Sequence, residues 1–183
     1  LSVMLSRMLT ASHFMDADRP KAPSRIVADL NRHFQAAGDD IVDYFTIICA
    51  RLSADGRRLV YCQAGHPSPL LVRASGEIEQ LGDGGFPVGM LPDVDYEDRE
   101  AVLAPGDRLV IASDGLYECM SPAGEPFAES RLEPLLLGQR SASLPALLTT
   151  LLQQLTVWHQ KLGPDDDVSV LVVEVRGGEH DEV

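Results

Sequence analysis

The sequence has few cysteines, and it has no long apolar run. Its 183 residues include only three cysteines, Cys49, Cys62 and Cys119. Their odd number and wide spacing fit neither a disulfide framework nor a zinc site, so we expect free thiols in a reducing compartment, the cytoplasm. No apolar run reaches the roughly eighteen residues that a membrane span requires. A membrane-embedded protein is therefore not expected.

Basic residues are also scarce. The chain has 15 Lys and Arg against 28 Asp and Glu, which gives a formal net charge of −13. A nucleic-acid partner is not expected, because the phosphate backbone requires a basic footprint on the protein. The acidic excess fits a soluble surface, a site for cations or a basic protein partner.

Several common catalytic motifs are missing as well. The glycine-rich stretch GDGGFPVG at 82–89 fits neither the P-loop nor the GxGxxG pattern of dinucleotide-binding proteins. No GxSxG or Ser-His-Asp pattern indicates a nucleophilic serine. These absences disfavour nucleotide-binding folds and covalent catalysis through an activated serine.

What is present is a run of strand patterns between helical patterns. Apolar residues at helical spacing predict helices over 1–14, 24–37 and 143–162, the second capped by Ser24 and ended by Gly38. FAESRLEPLLLG, 127–138, predicts one more. Strands are predicted over 44–52, 58–65, 69–73, 77–81, 96–103, 108–113 and 168–175. Segregated helices and hairpins indicate an α+β fold.

Three hairpins are predicted from turn residues between these strands. Asp55-Gly56 joins the first pair, and a two-residue turn there places Cys49 opposite Cys62 in the ladder. Ala74-Ser75-Gly76 joins the second pair. The turn APGD, 104–107, is predicted to pair strand 96–103 with strand 108–113.

Carboxylates stand at the ends of two strands with apolar sequences. Asp114 directly follows strand 108–113, and Asp165, Asp166 and Asp167 directly precede strand 168–175. An Asp-Gly after a strand is most often only a turn, and an acidic run is most often a solvated loop. If the two strands are neighbours, however, the carboxylates converge, and converging carboxylates repel one another unless a hard cation such as Mg²⁺ or Mn²⁺ lies between them.

His66 in AGHPSPLL is a lone histidine between Gly65 and Pro67. No second histidine is nearby in sequence, and none of the cysteines has a Cys/His zinc spacing. A hydrogen-bonding role is therefore favoured over direct metal ligation.

Three segments in this order resemble the metal-dependent PPM protein phosphatases. They are AGHPSPLL at 64–71, LAPGDRLVIASDGLYE at 103–118 and DDVS at 166–169. The chain is most similar to the bacterial branch of stress and sporulation regulators typified by SpoIIE and RsbU. The resemblance covers residues 1–176, expected to form one phosphatase domain, and leaves 177–183 as a polar tail.

The resemblance implies a β-sandwich of two antiparallel sheets flanked by helices, with two Mn²⁺ or Mg²⁺ ions at one end. Asp114 and Gly115 match the metal-binding Asp-Gly of the family, and Asp166 matches the ligand before the last strand. Asp167, Ser113 and His66 would support these ligands without touching the ions. No catalytic residue is expected beyond the metal-bound water.

The family's Asp-x-x-Gly-His-Gly motif, which supplies the aspartate that bridges the two metals, does not occur in this sequence. We expect that this motif and the N-terminal strands of the sandwich are missing and that the domain is N-terminally incomplete. Two interpretations remain open: part of an active phosphatase, or a degenerate relative that uses the scaffold to bind a partner.

The resemblance also implies a set of partners. An active domain would dephosphorylate a phosphoprotein, an anti-sigma-factor antagonist, and a degenerate one would bind a sigma factor or its regulator. We expect it to be the C-terminal domain of a response regulator, controlled by an upstream receiver or sensor domain, and a dimer is possible.

Overall fold

The computed structural model describes residues 14–16, 19–36, 44–160 and 166–177. The predicted first helix over 1–14, the helix end at Gly38 and Asp165 lie outside the described residues. The chain divides into two compact units, one drawn from Leu1–His66 and Gly82–Val102 and the other from Pro67–Leu81 and Leu103–Val183. None of the described helices is long and apolar enough to cross a membrane.

The first unit holds a three-stranded antiparallel sheet and one long helix. Its strands are β3, Ile47–Leu52, β4, Arg58–Ala64, and β7, Arg99–Val102, in the order β3-β4-β7. Two short strands, β1, Met15–Asp16, and β2, Arg19–Pro20, pair separately. The helix Pro23–Ala36 buries Ile26, Val27, Leu30 and Phe34 against Cys62, Ala64 and Val88.

The sequence predicted Ser24 as the N-cap of the helix Pro23–Ala36. The structure does not use Ser24 in this way. The helix starts at Pro23, whose missing N–H is not needed in the first turn. The backbone N–H of Ser24 is bound instead by the Asp98 carboxylate, at 2.7 Å and 74 residues along the chain. The prediction was wrong because a distant side chain supplies the oxygen acceptor that the sequence pattern assigned to a local serine.

The second unit holds a four-stranded antiparallel sheet and the remaining helices. Its strands are β5, Leu70–Val72, β6, Ile78–Gln80, β8, Arg108–Ala112, and β9, Val170–Glu174, in the order β6-β5-β8-β9. The helices are Asp114–Tyr117, Glu133–Gly138 and Leu144–His159. A core of leucines with Phe127 joins the sheet to the helices.

Two of the predicted hairpins are confirmed, with turns that differ in detail. Cys49 lies directly opposite Cys62 in the β3–β4 ladder, as the Asp-Gly turn predicted, and both cysteines are free thiols. The turn itself is wider than two residues, because Ser53 N–H bonds to Arg58 O and Gly56 N–H to Ser53 O. The β5–β6 turn closes in the same way, from Arg73 to Glu77.

The third predicted hairpin is wrong. β7 pairs with β4 in the first unit, whereas β8 pairs with β5 and β9 in the second. The turn at 104–107 does form, since Asp107 N–H bonds to Ala104 O. Its Asp107 side chain, however, also binds Arg73 and the Ala74 N–H of the β5–β6 hairpin. These contacts link the turn to β5, which is the strand that pairs with β8.

The two C-terminal helices follow their sequence patterns. Ser143 caps the helix Leu144–His159 by accepting a hydrogen bond from the Ala146 N–H at 3.4 Å. The predicted helix over 127–138 begins as a π-helical segment, Ala128–Leu132, and becomes α-helical at Glu133–Gly138. Pro134 has no N–H to donate to the preceding turn, which accounts for the irregular start.

Candidate metal-binding site

The candidate site is built where β8 ends and β9 begins. The two strands pair antiparallel, with Ala112 opposite Val170. Because antiparallel neighbours run in opposite directions, the residues after β8 and those before β9 meet at one edge of the sheet. Neighbouring strands were the condition for the predicted convergence of Asp114 with Asp166 and Asp167, and this condition is met.

Ser113 fixes the edge of this site. Its backbone N–H bonds to Ser169 O at 2.9 Å, as the next rung of the ladder would require. Its hydroxyl donates to Asp167 O at 3.0 Å and accepts from Ser169 N–H at 2.9 Å. One side chain therefore ties the segment 167–169 to the end of β8, while the predicted supporting role of Ser113 at a metal site stays a prediction.

Gly115 allows the two backbones to touch. A Cβ atom at this position would lie 2.5 Å from Asp167 O and 3.3 Å from Asp166 O. These approaches are shorter than van der Waals contact with a backbone oxygen, so no side chain fits without moving the segment. Glycine after Asp114 is thus required by the close approach of the acidic segment 166–167.

Two aspartates of the site each accept a hydrogen bond from the backbone N–H of the next residue. Asp114 begins the short helix Asp114–Tyr117, and its carboxylate accepts the Gly115 N–H at 3.0 Å. The Asp166 carboxylate accepts the Asp167 N–H at 2.7 Å. The side chains of Asp114, Asp166 and Asp167 are exposed. Most of their oxygen lone pairs are therefore left for another ligand.

A cavity of about 270 Å³ opens at this edge. It is lined by Gly115, Glu118, Cys119 and Asp166. Glu118 was not predicted, although it follows Asp114 by four residues, a spacing that places two carboxylates on one side of a helical turn. Asp166 and the helical segment after Asp114 thus share one concave space.

The carboxylates of this edge have no basic partner among the described residues. Within the described ranges, no Lys, Arg or His forms an ion pair with Asp114, Glu118, Asp166 or Asp167. Four acidic residues within one short stretch of surface repel one another when all are ionised. A bound cation is the simplest compensation for that repulsion.

The donor set fits a hard divalent cation that keeps part of its water shell. No group of three or more His, Cys, Asp or Glu in the described part of the chain is arranged to hold a metal by itself. Mg²⁺ is commonly bound through one or two carboxylates, with water and substrate phosphate completing the octahedron. Asp114 and Asp166 satisfy that requirement, and Mn²⁺ accepts the same oxygen donors.

His66 lies in the first unit, in the loop that follows β4. Its backbone carbonyl accepts a hydrogen bond from the Gln63 side-chain amide at 2.6 Å. Its predicted supporting role at the metal site stays a prediction.

The comparisons with known proteins agree on one family. The family model of stage II sporulation protein E (SpoIIE) matches residues 1–176. Phosphoserine phosphatase RsbU of Bacillus subtilis is 29% identical over 103 residues, which are 56% of this chain and 30% of RsbU. The match thus spans less than a third of that relative.

Solved structures share the fold. The SiaA-PP2C domain of Pseudomonas aeruginosa superimposes with a TM-score of 0.76 at 19% identity, over 89% of this chain and 65% of that one. The catalytic domain of serine threonine protein phosphatase PstP, in complex with two manganese ions, has a TM-score of 0.64 at 18% identity. The superposition covers 96% of this chain and 80% of the PstP chain. The predicted α+β fold of the PPM phosphatases is confirmed, and the chain belongs to the SpoIIE family.

Proposed function

We propose that this chain is a metal-dependent serine/threonine phosphoprotein phosphatase domain of a bacterial signalling protein. The observation that carries the proposal is the edge between β8 and β9, where Asp166 lines a cavity with Gly115, the residue after Asp114, and no basic side chain within the described ranges forms an ion pair with either aspartate. Family membership and the phosphoserine phosphatase RsbU among its relatives support the same activity.

In this proposal Asp114 and Asp166 hold Mn²⁺ or Mg²⁺, with two ions in the complete site. Such ions acidify a bound water and neutralise charge on a phosphoryl group. Ser113 keeps Asp166 and Asp167 against the end of β8, and Gly115 permits their close approach. The chain's own contribution is thus to hold these carboxylates close together although they repel one another.

The protein need not provide a nucleophile. Cys119 is buried at the cavity, and among the described residues no Lys, Arg or His lines the cavity with it. Reactive thiolates occur in electropositive surroundings, and this cavity is lined by Glu118 and Asp166 instead. Attack by water is therefore favoured over a covalent phosphocysteine.

The proposed substrate is a phosphoserine or phosphothreonine protein, an anti-sigma-factor antagonist. RsbU, the relative with 29% identity, is named a phosphoserine phosphatase. We further propose that a receiver or sensor domain controls the activity, in the manner of a response regulator.

Phosphate release tests the proposed activity. The full-length protein is incubated with a phosphoserine peptide and Mn²⁺, and Asp114→Asn and Asp166→Asn are compared with Glu129→Gln, a change at an exposed acid of another segment. We expect each aspartate variant to lose activity by about 10²-fold or more, because one metal ligand is removed. Glu129→Gln should retain it. Activity that survives in Asp114→Asn would contradict the proposed role of this residue.

One observation favours a second candidate, a catalytically degenerate adaptor that binds a sigma factor or its regulator. Among the described residues, no three metal donors are assembled by the protein alone. A chain that is inactive with both Mn²⁺ and Mg²⁺, yet binds such a partner with the same affinity in the Asp114→Asn variant, would support the adaptor.

A further inference from the structure

The loop at residues 86–91 exposes large apolar side chains. Phe86 is 54% exposed and Leu91 is 42% exposed, with Met90 also on the surface. Tyr44 is a fourth exposed side chain, and it precedes Phe45, which pairs with Val88 of the loop. Single exposed apolar residues are ordinary, but a cluster within one short loop is typical of an interaction site.

This loop is held in place more firmly than a solvent-exposed connection requires. The buried Asn31 accepts the Gly89 N–H at 2.7 Å and donates to Leu91 O at 3.0 Å. Gln35 donates to Gly89 O at 2.7 Å. Phe45 and Val88 exchange both backbone hydrogen bonds, at 2.9 and 3.0 Å. The exposed side chains are therefore presented from a fixed backbone.

A fixed backbone matters for binding, because a partner then does not have to order the loop when it binds. Val88, in the middle of the loop, is completely buried in the core with Phe34 and Ala64. Its neighbours Phe86 and Met90 remain outside.

The sequence around the loop is acidic. The sequence from residue 74 to residue 98 contains no Lys or Arg. Asp83 is paired with Arg99, and Asp98 binds the Ser24 N–H. Three further acids, Asp93, Asp95 and Glu97, are exposed, and no ion pair within the described ranges involves them.

We propose that the 86–91 loop is a docking surface for a basic amphipathic segment of another protein. Phe86, Met90 and Leu91 would receive its apolar side chains, and Asp93, Asp95 and Glu97 would pair with its Lys or Arg residues. Exposed apolar side chains flanked by charge of one sign are complementary to a segment of that composition. This docking surface does not depend on metal binding at Asp114.

A second copy of the chain is a poorer occupant of this surface. Each copy has a net charge of −13, and the acids beside the loop would meet the acids of the other copy. Nucleic acid is disfavoured for the same electrostatic reason.

The proposal is tested with an 18-residue helical peptide made of Leu and Lys, whose binding to the chain is measured by fluorescence anisotropy. Phe86→Ser and the pair Met90→Ser with Leu91→Ser are compared with Leu152→Ser, a 55% exposed leucine on another element. We expect the loop variants to weaken binding by about 10-fold or more, since central apolar contacts dominate such interfaces. Leu152→Ser should leave binding unchanged, and circular dichroism checks that every variant is folded.

The contribution of the acidic residues to peptide binding is tested with a triple variant, Asp93→Asn, Asp95→Asn and Glu97→Gln. We expect weaker peptide binding at low salt and a flatter dependence on NaCl, since screening acts on exposed charge pairs. The matched control replaces three exposed acids elsewhere, Glu77, Glu129 and Glu133, by Gln.

Two results would overturn the proposal. One is equal weakening by the loop variants and by their matched controls, which would show only general attraction to an acidic protein. The other is self-association of the wild-type chain in sedimentation velocity that Phe86→Ser abolishes, which would identify a second copy as the occupant.

Discussion

The two ends of strand β8 both carry aspartates, and the protein treats them in opposite ways. Asp107, before the strand, is 2% exposed and accepts hydrogen bonds from Arg73 at 2.9 Å, Ala74 N–H at 3.0 Å and Ala104 N–H at 2.9 Å. Asp114, after the strand, is exposed, and in the described contacts its carboxylate accepts only the N–H of its neighbour Gly115. One carboxylate is saturated by the protein and the other is left available.

Arg108 strengthens the saturated end. Its buried guanidinium pairs with Glu174 of β9 and donates to the carbonyls of Gln139 and Ala142. Buried charges are tolerated when every donor and acceptor has a partner. The comparison indicates that charge near a strand end is a candidate ligand site only where the protein leaves the charge without partners.

The largest expected effect is at the saturated end. Asp107→Ala should lower the free energy of unfolding by about 3 kcal/mol, because it leaves the Ala74 and Ala104 N–H groups and the Arg73 guanidinium without their buried acceptor. Urea unfolding measures this change. Asp114→Asn, measured in the same way without metal, should alter stability by less than about 0.5 kcal/mol, as is usual for surface substitutions. Equal losses in the two variants would remove the contrast between the ends.

Gly115→Ala should have the next largest effect, at the open end. The added Cβ would meet Asp167 O at 2.5 Å, so the segment 166–167 must shift. We expect a loss of about 1–3 kcal/mol, typical of overpacking, together with weaker Mn²⁺ binding. The matched control is Gly138→Ala, since Gly138 has nothing within 4 Å of a Cβ and also lacks a positive φ. Thermal unfolding should show little change for Gly138→Ala, and a similar loss there would show that the alanine, and not the clash, is responsible.

Ser113→Ala should cost about 1 kcal/mol, the usual value for a lost hydrogen bond. The hydroxyl holds Asp167 O and Ser169 N–H, so its removal loosens the segment before β9. Hydrogen exchange should rise at Ser169, whose N–H loses its acceptor. Ser113→Thr keeps the hydroxyl and serves as the control. Unchanged exchange at Ser169 in the alanine variant would show that this contact does not restrain the segment.

The smallest expected effect is on the pH dependence of stability. Burial of Asp107 raises its pKa. The N–H groups of Ala74 and Ala104 and the Arg73 guanidinium lower the pKa by more than burial raises it, so the pKa in the folded state lies below its ordinary value. A lowered folded-state pKa contributes stability above the unfolded pKa of about 3.9, and that stability is lost as the pH falls through the folded pKa. Thermal midpoints from pH 6 to pH 2 should therefore fall less steeply in Asp107→Asn. An unchanged slope would show that another carboxylate controls acid unfolding.

The sequence predicted the local elements and one register well. The alternation of apolar residues located the strands, and Asp55-Gly56 placed Cys49 opposite Cys62 because an antiparallel register is set where the turn closes. Both cysteines are free thiols, as expected, and Cys62 is buried while Cys49 is half-buried. Burial, and to a smaller extent the charge of Asp98, raises the pKa of Cys49 to about 11 and that of Cys62 to about 12.

Long-range choices could not be predicted in the same way. The turn at 104–107 looked like a hairpin, but strand 99–102 pairs with β4 and strand 108–112 with β5. The contacts of Asp107 with Arg73 and Ala74 lie more than thirty residues away in sequence. No local sequence pattern predicts such a contact.

The site was only partly predictable for the same reason. The order of Asp114 and Asp166 in the family pattern predicted their neighbourhood, and the pairing of β8 with β9 agrees with it. Glu118 was missed because its place at the cavity depends on the short helix Asp114–Tyr117, which four residues of sequence do not specify.

The central claim is that the open end of β8 binds a divalent cation through Asp114 and Asp166. Mn²⁺ titration of the chain, followed by electron paramagnetic resonance of the free ion, tests it most directly. We expect saturable binding in the wild type, a loss of at least 10-fold in affinity in Asp114→Asn and in Asp166→Asn, and no change in Glu129→Gln, since each aspartate variant removes a ligand. Mn²⁺ binding of equal affinity in all four proteins would contradict the claim.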